Sequence, residues 1–356
     1  MNNMKKNILF VCLFIILSCT STKQNNIAQE QPIKPVIVTD TVYKDSDDPA
    51  IWINTNNPSE SLILGTDKDN ENGGVYAFGL DGHIIKNKTT THLKRINNID
   101  IAYGLDINGK SADIAVATER GRNFIRVFAL PSMDLIDDGG IPVFEDSKQK
   151  DPMGIALYKN PVTKKIYAIV GRKTGPAEGY LYQYLLETTT NNSVKASLVR
   201  KFGKYSGKKE IESIAVDNEL GYVYYSDEQV GVRKYYADPE KGNEELALFG
   251  VGEFKEDNEG ISIYKFDDGT GYILVSDQGA DKFNIYPREG SPSNPHEHKR
   301  ITAIPVSTSV SDGSDITSVS LPGFSGGLFV AMSTDKTFQY YRWTDIAKRA
   351  KLKIHN

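Results

Sequence analysis

Between residues 36 and 343 the apolar positions fall in short runs bounded by Gly-, Asp- and Asn-rich turns, and helical periodicity is scarce. A start segment recurs along the chain: Asp48-Pro-Ala-Ile-Trp52, Asn98-Ile-Asp-Ile101, Pro152-Met-Gly-Ile-Ala156, Glu212-Ser-Ile-Ala-Val216, Glu259-Gly-Ile-Ser-Ile263 and Asp315-Ile-Thr-Ser-Val319. The spacing, roughly 45 to 60 residues, is that of propeller blades. Each start leads through a turn to a second apolar strand, as in Ser61 to Thr66 or Gly221 to Ser226. A third, aromatic-rich strand follows, as in Gly74 to Phe78 or Phe338 to Trp343. Asp81-Gly82, Asn108-Gly109 and Asp268-Gly269 stand where hairpins need positive φ. With a weaker fourth strand per unit, the pattern predicts an all-β fold, a six-bladed β-propeller of four-stranded blades. Thr344 to Leu352 is the best helix candidate.

The N-terminus follows another pattern. Lys5 and Lys6 precede an apolar run from Ile8 to Leu17, too short to span a bilayer and typical of a secretory signal. Ile16-Leu17-Ser18-Cys19 resembles a bacterial lipobox, with Cys19 as the lipidated first mature residue. The expected organisation is a lipoprotein signal peptide over 1–19, a flexible tether over 20–35 and the propeller over 36–356. The chain is then exported, and lipid-anchored to the cell membrane or outer membrane, or periplasmic or extracellular, touching membrane only through its lipid. Cys12 and Cys19 are the two cysteines, so the mature domain has neither disulfide nor thiol chemistry. A net charge of −4 argues against nucleic acid as a partner. A small-molecule substrate and a monomeric state are expected.

Equivalent ends of the innermost strands converge on a propeller axis. The repeat starts carry Asp47, Asp48, Asp100, Glu212, Asp257, Glu259, Asp312 and Asp315, and the turn after one second strand adds Asp227 and Glu228. So many carboxylates at one mouth repel unless cations bridge them, and calcium, a hard ion with six to eight oxygen ligands, suits an irregular carboxylate set. Corresponding turns carry Lys68, Arg120, Arg172 and Lys173, residue types that hold phosphate oxygens. Metals held by carboxylates beside such cations are the parts of a phosphoryl-transfer site.

Asp45-Ser-Asp-Asp-Pro-Ala-Ile-Trp52, Asn97-Asn-Ile-Asp100, Glu212 before its apolar strand, Asp227-Glu228, Asp257-Asn-Glu-Gly260, Ser276-Asp-Gln-Gly279 and Gly327-Leu-Phe-Val-Ala331 carry a resemblance to the calcium-dependent β-propeller phytases. The resemblance covers nearly all of 36–350. It implies several calcium ions at one end of the propeller and release of phosphate from phytate by a metal-activated water, without a covalent enzyme intermediate. It implies that Asp48, Glu212, Glu228, Asp257 and Glu259 hold the ions around the reacting phosphate. Lys68, Arg120 and Lys173 match phosphate-binding positions, and Gln278 falls at a matching strand end. The family's phosphate-binding Tyr falls at Met153, and a further acidic ligand falls close to Thr317; Arg172 is expected to supply contacts that the Tyr has lost. Two other readings stand beside this one: a non-catalytic propeller lipoprotein that binds calcium or a phosphorylated ligand, and a calcium lactonase with a single metal. Gly323-Phe-Ser-Gly-Gly327 precedes a strand rather than a helix and is set aside as a nucleophile motif. His296 and His298 are expected to be solvent-exposed.

Overall fold

The computed structural model describes residues 31–355, so Cys19 and the signal peptide expected over 1–19 lie outside the described residues. Pro32 begins the folded unit. Six antiparallel sheets form a ring, five of them with their strands in chain order from the axis outward. The innermost strands are Ser46–Trp52, Ile96–Ile107, Pro152–Lys159, Ile214–Asp217, Asn258–Lys265 and Ser314–Thr317, in blades 1 to 6. In blade 2 two short segments, Asp134–Leu135 and Ile141–Pro142, share the outer position. The fold is the six-bladed β-propeller expected from the repeats.

Closure of the ring was not visible in the repeats. The outer strand of blade 6 is Ile37–Val38, from the N-terminal end, paired with Tyr340 and Gln339 of Thr337–Arg342. Ile33 extends the seam: its N–H donates to the Pro305 carbonyl at 2.9 Å. The first and last parts of the chain thus share one sheet, which removes the open edge that a linear array of blades would leave.

Each neighbouring pair of blades buries its own apolar layer. Trp52, Leu64 and Val75 pack with Ile99, Ala117 and Phe128 between blades 1 and 2. Ile51, Ile63 and Phe78 meet Val330, Phe338 and Tyr340 between blades 1 and 6. The aromatic third strands supply bulk for these layers, as where Phe78 meets Phe338 with ring centroids 5.8 Å apart, and Tyr264 of the innermost strand of blade 5 stacks on Trp343 at 4.2 Å. Trp343 opens the helix Trp343–Ala350, one residue earlier than the sequence pattern suggests.

His298 departs from its expected exposure. It is 5% exposed, packed against Phe249 and Tyr224, with Nδ1 at 2.7 Å from the Pro287 carbonyl and Nε2 at 3.1 Å from Lys234 Nζ. Burial, then the Lys234 charge, lowers its pKa to about 4, so the ring is neutral and accepts from the lysine. The His-x-His pattern is a packing device between blades 4 and 5.

One irregularity positions the site. In blades 1, 2, 3 and 5 the innermost strand shifts register at its first residues: Ser46/Pro49, Ile96/Ile99, Pro152/Ile155 and Asn258/Ile261. Such bulges re-aim side chains that regular alternation would send elsewhere. Here they separate Asp47 from Asp48, and the two carboxylates serve different places.

Candidate functional site

Asp47, Glu212, Asp312, Glu228, Asp257 and Glu259 gather where the innermost strands begin. Lys68 Nζ lies 2.7 Å from Asp47 and 2.7 Å from Asp312, joining blades 1 and 6. Asn97 of blade 2 donates at 3.2 Å to both Asp47 and Glu212, so it reaches across to blade 4. Gln278 of blade 5 donates to Asp312 at 2.6 Å. Lys209 pairs with Glu228 at 3.3 Å and also with Asp257, whose other oxygen accepts from Gln229 at 3.0 Å. Ligand atoms of Glu212, Glu228 and Glu259 lie within 4.8 Å of one another.

Burial, complete at Glu228 and Glu259 and partial at Glu212 and Asp312, shifts the protonation of four of these groups. Burial first, then Asp47 and Asp312, pushes Glu212 well above the ordinary carboxyl range. Burial, then Glu212 and Glu228, does the same to Glu259. Burial raises Glu228 to about 7 and Asp312 to about 6, although Lys209 and Lys68 respectively pull them down. Burial works against the Lys68 ammonium too, yet Asp47, Asp312 and Glu212 outweigh it and its pKa is raised. Both Glu228 carboxylate oxygens and Glu259 Oε2 are buried without a hydrogen bond. A buried carboxylate oxygen without a donor is costly unless a cation meets it. The donor set is all carboxylate and amide oxygen, which fits a hard divalent ion rather than zinc.

The ends of the second strands follow a rule that the sequence hid. Asp67, Glu119, Asp227 and Asp277 turn inward and accept from backbone N–H groups of the segment entering their own blade: Lys44 at 2.8 Å, Lys94 at 2.8 Å, Ser206 at 3.1 Å and Lys255 at 2.9 Å. The next residue in each case, Lys68, Arg120, Glu228 or Gln278, belongs to the mouth end. Asp227 is thereby not brought to the carboxylate cluster; Arg233 at 2.8 Å and Ser206 Oγ at 2.7 Å occupy its oxygens.

Blade 3 uses the same position with the opposite charge. Arg172 is 1% exposed and donates to Ser147 Oγ at 3.0 Å and the Gln149 carbonyl at 3.1 Å. Its guanidinium lies over Phe144, Tyr182 and Tyr180. The expectation that Arg172 contacts substrate is corrected by this burial: the side chain braces the loop before blade 3. Lys173 is 42% exposed and pairs with Glu210 at 3.1 Å. Arg120 lies 4.0 Å from Asp151, beyond hydrogen-bond range. Met153 is 2% exposed and offers no hydroxyl.

Asp48, Asp100 and Asp315 are not brought to the mouth either. They line a central cavity of about 970 Å³ formed by the middles and far ends of the innermost strands. There each accepts the backbone N–H of the next blade: Asp48 from Ile99 at 3.0 Å, Asp100 from Leu157 at 2.7 Å and Asp315 from Ile51 at 2.8 Å. They are staples between blades. Burial lifts Asp100 to about 6 and Asp315 to about 7, and Asp48 well above its ordinary range. Thr317 lines the same cavity, so the residue at that position does not bear on the mouth.

Lys209, Glu210 and Asn97 were absent from the sequence-based candidates. Asn97 occupies the position in blade 2 that Asp47 holds in blade 1, so the repeat could have exposed it. Lys209 and Glu210 precede a strand, in a segment that carries no repeat signal.

A 3-phytase of Bacillus subtilis (strain 168) is 28% identical over 360 residues, covering 94% of this chain and 90% of that protein. A solved propeller, that of Dos1, is 12% identical with a TM-score of 0.42 over 84% of this chain and 68% of its own. A family model described as Phytase matches residues 6–343, nearly the whole length, and the chain belongs to the phytase family.

Proposed function

We propose that this protein is a calcium-dependent phosphomonoester hydrolase that releases phosphate from phytate (myo-inositol hexakisphosphate) at the carboxylate mouth. The observation that carries this reading is the set of buried Glu228 and Glu259 oxygens that lack a hydrogen bond, on side chains whose ligand atoms lie within 4.8 Å of one another and of Glu212. Six carboxyl groups (Asp47, Glu212, Glu228, Asp257, Glu259, Asp312) face two ammonium groups (Lys68, Lys209). The four negative charges left over match two divalent ions, and Glu212, Glu228 and Glu259 are the residues to hold them. Calcium, when bound, supplies Lewis acidity to phosphate oxygens and lowers the pKa of a coordinated water.

The chain's own residues do the rest. Lys68 is fixed between Asp47 and Asp312 and presents one positive charge inside the mouth. Arg120 and Lys173 stand on the rim, where a guanidinium and an ammonium hold the phosphates of a polyanionic substrate. Gln278 orients Asp312 through its 2.6 Å hydrogen bond. Export and lipidation at Cys19 belong to the same proposal; mass analysis of the mature chain for a diacylglyceryl-modified Cys19 tests them.

The decisive assay is phosphate release from phytate by the full chain with calcium and then with excess chelator. The expected result is release only with calcium, abolished by Glu212→Gln and reduced mainly through KM by Lys173→Ala. Met153, in place of a hydroxyl, favours a second reading, a propeller that binds calcium and a phosphorylated ligand without turnover. A folded, calcium-binding protein that releases no phosphate would establish that second reading and overturn the first.

A further inference from the structure

Lys209 stands apart from the other cations of the site. Lys173 reaches out from the rim, and Lys68 lies between two aspartates that Asn97 and Gln278 also satisfy. Lys209 instead enters from the segment before blade 4, and its ammonium lies between Glu228 and Asp257, carboxylates of blades 4 and 5. Glu228 is 0% exposed, neither of its oxygens has a hydrogen bond, and Lys209 is ion-paired to it at 3.3 Å. Asp257 is 7% exposed and divides its oxygens between Lys209 and Gln229. The arrangement is that of a cation bridging two buried carboxylates, with a covalently tethered ammonium as the cation.

We propose that Lys209 is a built-in counter-ion that takes one cation position of the carboxylate mouth, between Glu228 and Asp257, and thereby sets how many divalent ions the site accepts. This rests on the reading of the mouth as a calcium site. Glu212, Glu259 and the remaining faces of Glu228 are left for metal. A monovalent group there keeps the blade 4–blade 5 side assembled when metal is scarce, because the two carboxylates do not face each other uncompensated. It also opposes a second ion nearby by direct repulsion, since two like charges a few ångströms apart in a partly buried site interact strongly. Lys209 is thus a positioning residue for the metal cluster, its ammonium engaged between carboxylates of two neighbouring blades.

The test compares the full chain with its Lys209→Gln, Lys209→Met and Lys209→Arg variants, using calcium alone as probe. Calorimetric titration gives stoichiometry and affinity, and thermal unfolding in chelator gives the metal-free stability. The expected result is one additional calcium per chain in Lys209→Gln and Lys209→Met, a tightening of the first ion by about tenfold, and a lower midpoint in chelator that calcium restores. Lys209→Arg keeps the wild-type stoichiometry. If the wild type binds calcium and the Gln and Met variants bind the same number with the same affinity, Lys209 is not a counter-ion and the calcium reading stands. If the wild type itself binds no calcium, both fall. A chelator midpoint that rises in Lys209→Gln also overturns the inference, because a bridging cation cannot be removed from between two carboxylates to the benefit of the fold.

Discussion

Glu228→Gln offers the sharpest test of the electrostatics of the mouth. Burial lifts the Glu228 carboxyl from 4.5 to about 7 in the folded protein. Between those values the unfolded chain has released the proton and the folded chain has kept it, so the folded state binds more protons. Stability contributed by this group is therefore present below the unfolded value and lost as pH rises through the window to about 7. The shift corresponds to about 3 kcal/mol of destabilisation at alkaline pH in the absence of metal. Gln cannot ionise and escapes the loss; the favourable Lys209 pairing is already contained in the folded value. In chelator near about pH 8, denaturant unfolding should show Glu228→Gln more stable than wild type by about 3 kcal/mol. For a chain of this size that is a midpoint higher by roughly 6 °C. At about pH 3, well below the unfolded value, the two should coincide, since the side chain is then neutral in both states of both proteins. Saturating calcium should reverse the order, because the wild type gains a ligand that binds only the folded state. A variant that is less stable than wild type in chelator at the alkaline end would refute the reasoning.

Two further outcomes separate scaffold from site. Arg172→Ala should destabilise by about 3 kcal/mol, from lost aromatic contacts and loop hydrogen bonds, whereas Lys173→Ala should stay within about 0.5 kcal/mol and act on KM; unchanged stability with a raised KM in Arg172→Ala would return that arginine to the substrate. Asp315→Ala should cost about 2 kcal/mol by leaving the Ile51 N–H unpaired while calcium stoichiometry by titration stays the same; loss of an ion would place a metal in the central cavity.

The candidate residues divide in an instructive way. Those in the second-strand turns came in pairs, Asp227 with Glu228 and Arg172 with Lys173, and the sequence offered no means to choose between members. The structure chooses by position: the strand-end residue caps the segment entering the blade, and its successor belongs to the mouth. Asp47 and Asp48 were likewise equivalent on paper. A bulge between Ser46 and Pro49 turns one toward Lys68 and leaves the other in the central cavity. Lys209 could not be seen at all, because it lies outside the repeat and its partners are 19 and 48 residues away.

The order of residues along the chain carries the local grammar: short apolar strands, turn residues at fixed places, and a recurring start segment that sets the number of blades. These follow from steric and hydrophobic preferences acting over a few residues, so they are written in a few residues. Closure of the ring by Ile37–Val38, the division of the acids between the mouth and the blade staples, and the raised pKa values arise only when the blades assemble. Each depends on which groups share a low-dielectric space after distant segments meet, and desolvation is a property of that space rather than of any stretch of chain.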